Sequence, residues 1–239
     1  MMIANSKATR SVDALVFDAY GTLFDVQSVA TLGERMFPGR GNALAQAWRT
    51  KQLEYTWLQS LMLSATQRRE DFAAITAHAL DHAAEALGLS LQPQLRHRLL
   101  DAYLDLSAFP DAAPALAALA PLPRIILSNG TRAMLEPLAV STGIALHIDA
   151  ILSVDAAGIY KPSPRVYQLA VDHLKLLPAR VGFVSSNGWD AAGAKAFGFT
   201  SFWVNRSGAP LERHGPKPDA IIASLAELPV LLGKDPVRV

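Results

Sequence analysis

The sequence predicts an α/β protein built on a doubly wound parallel sheet, with a helical segment inserted after the first strand. Three observations lead there. Short apolar runs alternate with helix-like stretches from about residue 124 onward, which is the signature of strand–helix–strand units. The first run, VDALVF ending at Asp18, is almost continuously apolar, as a parallel strand covered on both faces must be. That strand is followed by a long block of helical character, from Asp25 to Phe109, before the alternation begins.

Taken in order, Gly41 to Leu63 reads as a helix with Leu44, Ala47, Trp48, Tyr55, Leu58 and Met62 near one face. Arg69 to Leu87 continues in the same manner and stops at Gly88, a residue suited to a helix C-terminus. A third helix fits Pro93–Leu106, with proline in its first turn, and Phe109-Pro110-Asp111 ends it. The Ala-rich stretch Asp111–Ala120 is a good helix former. Strands follow at Arg124–Leu127, Ile148–Ser153, Val181–Val184, Thr200–Val204 and Ala220–Ile222. Helices lie between or after them at Arg132–Thr142, Ser163–His173, Ala191–Phe197 and Ser224–Leu232. An insertion at the carboxyl end of a strand overhangs the crevice where open α/β sheets bind ligands, so the block is expected to form a lid. The expected division is a catalytic core of residues 10–24 and 110–239 and a helical cap of residues 25–109.

Composition narrows the function. Apolar residues make up 51% of the chain, enough for a sizeable core, and charged residues only 18%. Lys plus Arg number 22 against 21 acids, a net charge of +1, and Arg68-Arg69 is neutralised at once by Glu70-Asp71. Without a basic patch, a nucleic-acid partner is not expected. There is no cysteine, so disulfides and thiolate metal sites are excluded, which fits a reducing cytoplasm. The first ten residues carry no apolar leader core and no long uncharged apolar run follows, so neither secretion nor a membrane is expected.

Four strand ends carry polar groups: Asp18, Ser128-Asn129, the loop leading to Lys161, and Ser185–Asn187 with Asp190 close behind. Singly, each is an ordinary wet strand end or helix cap. Together, at one edge of a doubly wound sheet, they form the default site. Asp18 directly follows a buried run, a setting in which a carboxylate can act as a covalent nucleophile. Lys161 is the candidate cation beside it, Ser128 and neighbouring backbone N–H groups suit an anion, and Asp190 is left to orient or deprotonate a water. Two residues after Asp18 stands Tyr20, where a second acid would complete a Mg²⁺ site, so no metal and no cofactor are expected. In the inserted block Arg49, Leu53, Trp57 and Leu61 recur every four residues, placing Arg49 at the head of an apolar stripe. Either its stem merely covers apolar surface, or it is a cation in an apolar pocket that awaits an anion. A small acid bearing an apolar carbon or a halide matches the second reading, with Trp189 and Phe72 as candidate lining.

These motifs resemble those of the haloacid dehalogenase superfamily, and within it the L-2-haloacid dehalogenases. The likeness rests on Phe17-Asp18-Ala19-Tyr20-Gly21-Thr22-Leu23-Phe24-Asp25, Trp48-Arg49 running into Lys51-Gln52-Leu53-Glu54-Tyr55-Thr56-Trp57, and Leu127-Ser128-Asn129-Gly130. Tyr160-Lys161-Pro162 with Arg165-Val166-Tyr167, and Ser185-Ser186-Asn187-Gly188-Trp189-Asp190, complete it in family order. Between Met62 and Phe72 the chain is a few residues longer than the family pattern. The resemblance implies a Rossmann-like core with a helical cap, a homodimer, and metal-free hydrolysis of short (S)-2-haloalkanoic acids to (R)-2-hydroxy acids and halide. By motif, Asp18 attacks C2 and Thr22 braces it. Arg49 and Asn129 cradle the leaving halide, and Ser128, with N–H groups near Tyr20 and Asn129, holds the carboxylate. Lys161 compensates Asp18, supported by Ser185 and by Tyr167, which is also expected at the substrate site, while Asn187 and Asp190 position the hydrolytic water. Two alternatives stay open: a Mg²⁺-dependent phosphatase of the same superfamily, and a hydrolase of another small 2-substituted acid.

Overall fold

The computed structural model describes residues 11–64 and 68–234. Six strands form one all-parallel sheet: β1 (Ala14–Phe17), β2 (Arg124–Ser128), β3 (Ala150–Ser153), β4 (Val181–Ser185), β5 (Thr200–Val204) and β6 (Ala220–Ile222). Their spatial order is β3-β2-β1-β4-β5-β6. The chain therefore winds outward from β1 to one edge, returns, and winds to the other. The reversal falls between β1 and β4, and crevices at such a point bind ligands. β1, β4 and β5 are buried along their whole length, which accounts for their unbroken apolar character.

The helices are α1 (Gln27–Met36), α2 (Gly41–Met62), α3 (Phe72–Ala86), α4 (Pro93–Asp101), α5 (Ala112–Ala118), α6 (Arg132–Ser141), α7 (Pro164–Leu174), α8 (Gly188–Phe197) and α9 (Glu227–Leu231). The first four form the insertion. Its stem is closed where Asp25 N–H donates to Ser107 O at 2.8 Å and Phe109 N–H to Leu23 O at 2.9 Å. α3 begins where Asp71 accepts from Ala74 N–H at 2.9 Å, so the expected start at Arg69 is three residues early. The helix expected over Pro93–Leu106 ends at Asp101 and tightens into a 3₁₀ turn, Ala102–Leu104. α1 escaped the sequence reading, and α8 begins at Gly188 rather than Ala191. The boundary set at residue 10 lies outside the described residues.

α2 corrects the apolar stripe. Its buried face runs through Leu44, Trp48, Gln52 and Thr56, while Leu61 is 82% exposed and Trp57, Leu58 and Met62 are also exposed. The helix is turned by one residue because its buried polar groups have partners: Gln52 Nε2 donates to Thr76 Oγ1 at 2.7 Å and Thr56 Oγ1 to Leu53 O at 2.6 Å. Among the described residues no helix is long and apolar enough to cross a membrane.

Candidate active site

The tips of β1 and β4 meet at the switch point, and Asp18 sits on the first of them. Its Oδ1 accepts from Lys161 Nζ at 3.0 Å. Its Oδ2 accepts from Asn187 Nδ2 at 2.8 Å, Thr22 Oγ1 at 3.3 Å and Ser185 Oγ at 3.4 Å. The turn that brings Thr22 back requires Gly21 at φ +83°, where a side chain would be strained and would crowd Ser186 Oγ. Thr22 Oγ1 in turn accepts from Ser186 N–H at 2.8 Å, tying the β1 and β4 loops together.

Lys161 is fully buried and bridges two acids, its Nζ lying 2.9 Å from Asp190 Oδ2 as well as 3.0 Å from Asp18. It also lies 5.0 Å from the centre of the Phe183 ring. Burial works against the ammonium charge, but the carboxylates of Asp18 and Asp190 outweigh it and hold its pKa above the usual lysine value. Asp190 is pushed up to about 6, chiefly by burial, with the Lys161 charge opposing that rise and Asp18 adding to it. Tyr167 O–H donates to Asp190 Oδ1 at 2.8 Å, and burial followed by the Asp190 charge keeps the phenol neutral.

This arrangement bears on three expected roles. Asp190, expected to orient or deprotonate water, is completely buried, with Lys161 on Oδ2 and Tyr167 on Oδ1, and Lys161 is what joins it to Asp18. Tyr167 does not line a substrate pocket, because its ring is packed among Phe183, Phe197 and Phe199 behind Asp190. Nor do Tyr167 and Ser185 touch Lys161: they hold its two acid partners, Asp190 and Asp18.

The inserted helices supply the opposite wall. Arg49, from α2, donates through Nη1 to Gln52 Oε1 at 2.7 Å and through Nη2 to Asn187 Oδ1 at 3.4 Å. Asn187 thus stands between the cation and the nucleophile. It occupies the N-cap of α8 yet makes no capping bond, its amide being committed to Asp18 and Arg49. Asn129 Oδ1 accepts from Lys161 N–H at 3.1 Å, which fixes the amide with Nδ2 turned away from that backbone. Ser128, buried at the tip of β2, accepts from Gly130 N–H at 3.1 Å. Phe72 opens α3 and stacks on Tyr20, ring centres 5.7 Å apart, and Tyr103 meets Tyr20 edge-on at 6.0 Å. Trp189 packs edge-to-face on Trp57 at 5.5 Å, so it joins α8 to α2 as well as flanking Asn187. The Tyr20 hydroxyl is buried without a partner among the described residues, and burial raises its pKa, so it remains a neutral donor.

The residues do not suit a divalent metal between Asp18 and Asp190, since the Lys161 ammonium already occupies that bridging position and Tyr20 adds a phenol where a carboxylate would be wanted. Sequence reasoning missed Thr76, Tyr103 and the partnering roles of Ser186 and Gln52. Gln52 alone left a signal, being a polar residue three positions after Arg49 on one helix.

Residues 12–198 match the family model described as haloacid dehalogenase-like hydrolase. The (S)-2-haloacid dehalogenase of Xanthobacter autotrophicus is 44% identical over 92% of this chain and 95% of its own length, and that of Pseudomonas putida 40% identical over 92% and 96%. The crystal structure of the L-2-haloacid dehalogenase RSc1362 superposes with a TM-score of 0.91 at 43% identity, covering 93% of this chain and 99% of its own. The X. autotrophicus enzyme with chloropropionic acid covalently bound gives 0.85 at 42% identity, over 93% and 98%. A match running from the strand that carries Asp18 to the end of α8, with near-full-length relatives beside it, shows that the chain belongs to the haloacid dehalogenase-like hydrolases and groups with their (S)-2-haloacid dehalogenases.

Proposed function

We infer that the protein hydrolyses short (S)-2-haloalkanoic acids to (R)-2-hydroxy acids and halide through an ester on Asp18, without a metal. The observation that carries this reading is the Asp18 carboxylate itself: ionic and hydrogen-bonded on both oxygens, with Arg49 one residue away across Asn187. A relative whose structure holds chloropropionic acid covalently bound supports it.

In the first step an Asp18 oxygen attacks C2 from the side opposite the halogen. The C–O bond forms as the carbon–halogen bond breaks, and C2 inverts. Arg49 and Asn129 receive the halide, while Ser128 holds the substrate carboxylate. Positioning does most of this work, because the nucleophile is held in line before the substrate arrives. In the second step water adds to Cγ of Asp18. The Cγ–O bond to the hydroxy acid breaks, one water proton goes to the departing alkoxide, and the other is released as the carboxylate re-forms. Lys161 stabilises the Asp18 carboxylate before attack and the oxyanion that forms as water adds to Cγ, and Asn187 places the water. C2 is untouched in this step, so the inverted configuration persists.

Halide release from L-2-chloropropionate but not its D-enantiomer, undiminished by EDTA, is the expected outcome. In ¹⁸O water, one turnover with excess enzyme is expected to label Asp18 and leave the product unlabelled; label in the product would mean that water attacks C2. Loss of turnover in EDTA together with hydrolysis of a phosphate ester would replace this reading with the phosphatase. A cytoplasmic location and a homodimer belong to the same proposal; the exposed Trp57, Leu58, Leu61 and Met62 on α2 support self-association.

A further inference from the structure

Arg49 is the one cation that the inserted helices bring to the Asp18 cluster among the described hydrogen bonds, and it is only partly buried. It also borders a cleft of about 400 Å³ between α1 and α2, together with Val29, Ala30, Ala45 and Tyr103. A long side chain beside open space retains several rotamers, and fixing it has an entropic cost. The bond to Asn187 is long at 3.4 Å and cannot be what fixes it. The short bond is to Gln52, at 2.7 Å.

Gln52 is itself fully determined. It is completely buried, and its amide orientation is set from both ends: Oε1 accepts from Arg49, and Nε2 donates to Thr76 Oγ1 at 2.7 Å. Thr76 Oγ1 passes the order on by donating to Phe72 O at 2.6 Å, and the Thr76 carbonyl accepts from Trp48 Nε1 at 2.8 Å. A glutamine is hard to bury unless every polar atom is used, and here both ends are used. The chain from α3 through Thr76 and Gln52 ends on the guanidinium.

We propose that Gln52, held by Thr76, is the positioning residue that aims the Arg49 guanidinium at the leaving halide. The proposal rests on the dehalogenase reading above and adds a residue to it. Gln52 touches no reacting atom; it acts only through Arg49. A misaimed Arg49 stabilises the departing anion poorly, and the penalty grows with the charge the anion must carry in the transition state. Chloride should therefore suffer more than bromide.

The test is single-turnover halide release from L-2-chloropropionate and L-2-bromopropionate, with excess enzyme. Five proteins are compared: wild type, Gln52→Leu, Arg49→Lys, the double variant, and Thr76→Val as a milder probe of the same chain. Loss of a hydrogen bond to a charged group predicts that Gln52→Leu slows the chloride reaction about tenfold and the bromide reaction less. In the Arg49→Lys background the same substitution should cost less than about twofold, because its route of action is gone. Thr76→Val, which removes one anchor of Gln52 but leaves its contact with Tyr103, should fall between wild type and Gln52→Leu. Equal losses in both backgrounds, or equal losses for both halides, would show Gln52 to be structural only and overturn the proposal. If wild type releases halide from neither acid, the dehalogenase reading itself fails, a result distinct from either.

Discussion

Tyr20 is the residue that most separates this site from one built around a metal. Its ring is gripped by Phe72 and Tyr103, and Gly130 is a glycine because a Cβ there would come within 2.9 Å of the Tyr20 ring. The packing leaves the hydroxyl buried without a partner, at a cost of about 1–3 kcal/mol. A group kept at that cost beside the nucleophile serves something that arrives later. Tyr20→Phe is therefore expected to raise the melting temperature by a few degrees, since about 1 kcal/mol is worth roughly 2–4 °C in a chain of this size. It should at the same time lower kcat/KM for L-2-chloropropionate by about tenfold. A calorimetric scan and a halide-release assay check both, and a stabilised variant with undiminished kcat/KM would show that the hydroxyl serves no substrate. Gly130→Ala should do the opposite to stability, lowering it by pressing on the same ring.

At the scale of elements, the strand tips were legible in the sequence and the depth behind them was not. Asp18, Ser128, Ser185 and Asn187 could be named because an apolar run that stops at a polar residue marks both a strand and its ligand-binding end. Asp190 and Tyr167 were named as well, but periodicity does not say which face of α8 or α7 points into the protein. Lys161 sits between Asp190 and Asp18, and Tyr167 backs Asp190 from the other side. The one-residue turn of α2 was hidden for a related reason: Gln52 is buried against Thr76 of α3, a partner that only the third dimension supplies, while Thr56 bonds back to Leu53 within its own helix. Asp190 also sets a pH dependence. Its folded pKa, near 6, lies above the usual carboxylate value, so protonation as pH falls through that range removes the charge that holds Lys161. Turnover should show an acid limb near pH 6. Tyr167 O–H donates to the ionised form and lowers that pKa, so Tyr167→Phe should move the limb to higher pH, and an unmoved limb would assign it to another group. The sign for stability runs the other way, since the raised value favours the protonated folded state and that contribution fades as pH rises through 6.

At the scale of the whole molecule, the reaction depends on the inserted helices lying on the sheet, because Arg49 comes from one part and Asp18 from the other. Several contacts hold them together besides Arg49–Asn187. Tyr160, just before Lys161, donates from its backbone to Ser60 Oγ at 3.2 Å and from its hydroxyl to Glu70 O at 2.8 Å. Arg69 lies over the Tyr160 ring at 4.2 Å and pairs with Asp155. Trp57 meets Trp189 on the far side of the crevice. The stacked Arg69 is the contact best suited to a test, as its side chain is almost buried and a cation over an aromatic face is worth roughly 0.5–2 kcal/mol. Arg69→Ala loosens the seat of the insertion without touching a residue of the Asp18 cluster. Substrate must then draw the two parts together itself, so KM for L-2-chloropropionate should rise about three- to tenfold with a smaller fall in kcat. Halide release across a substrate series measures the split, with hydrogen exchange at residues 68–71 and 154–161 reporting the looser seat. A lower melting temperature with KM unchanged would mean that Arg69 stabilises the fold and plays no part in bringing Arg49 to the nucleophile.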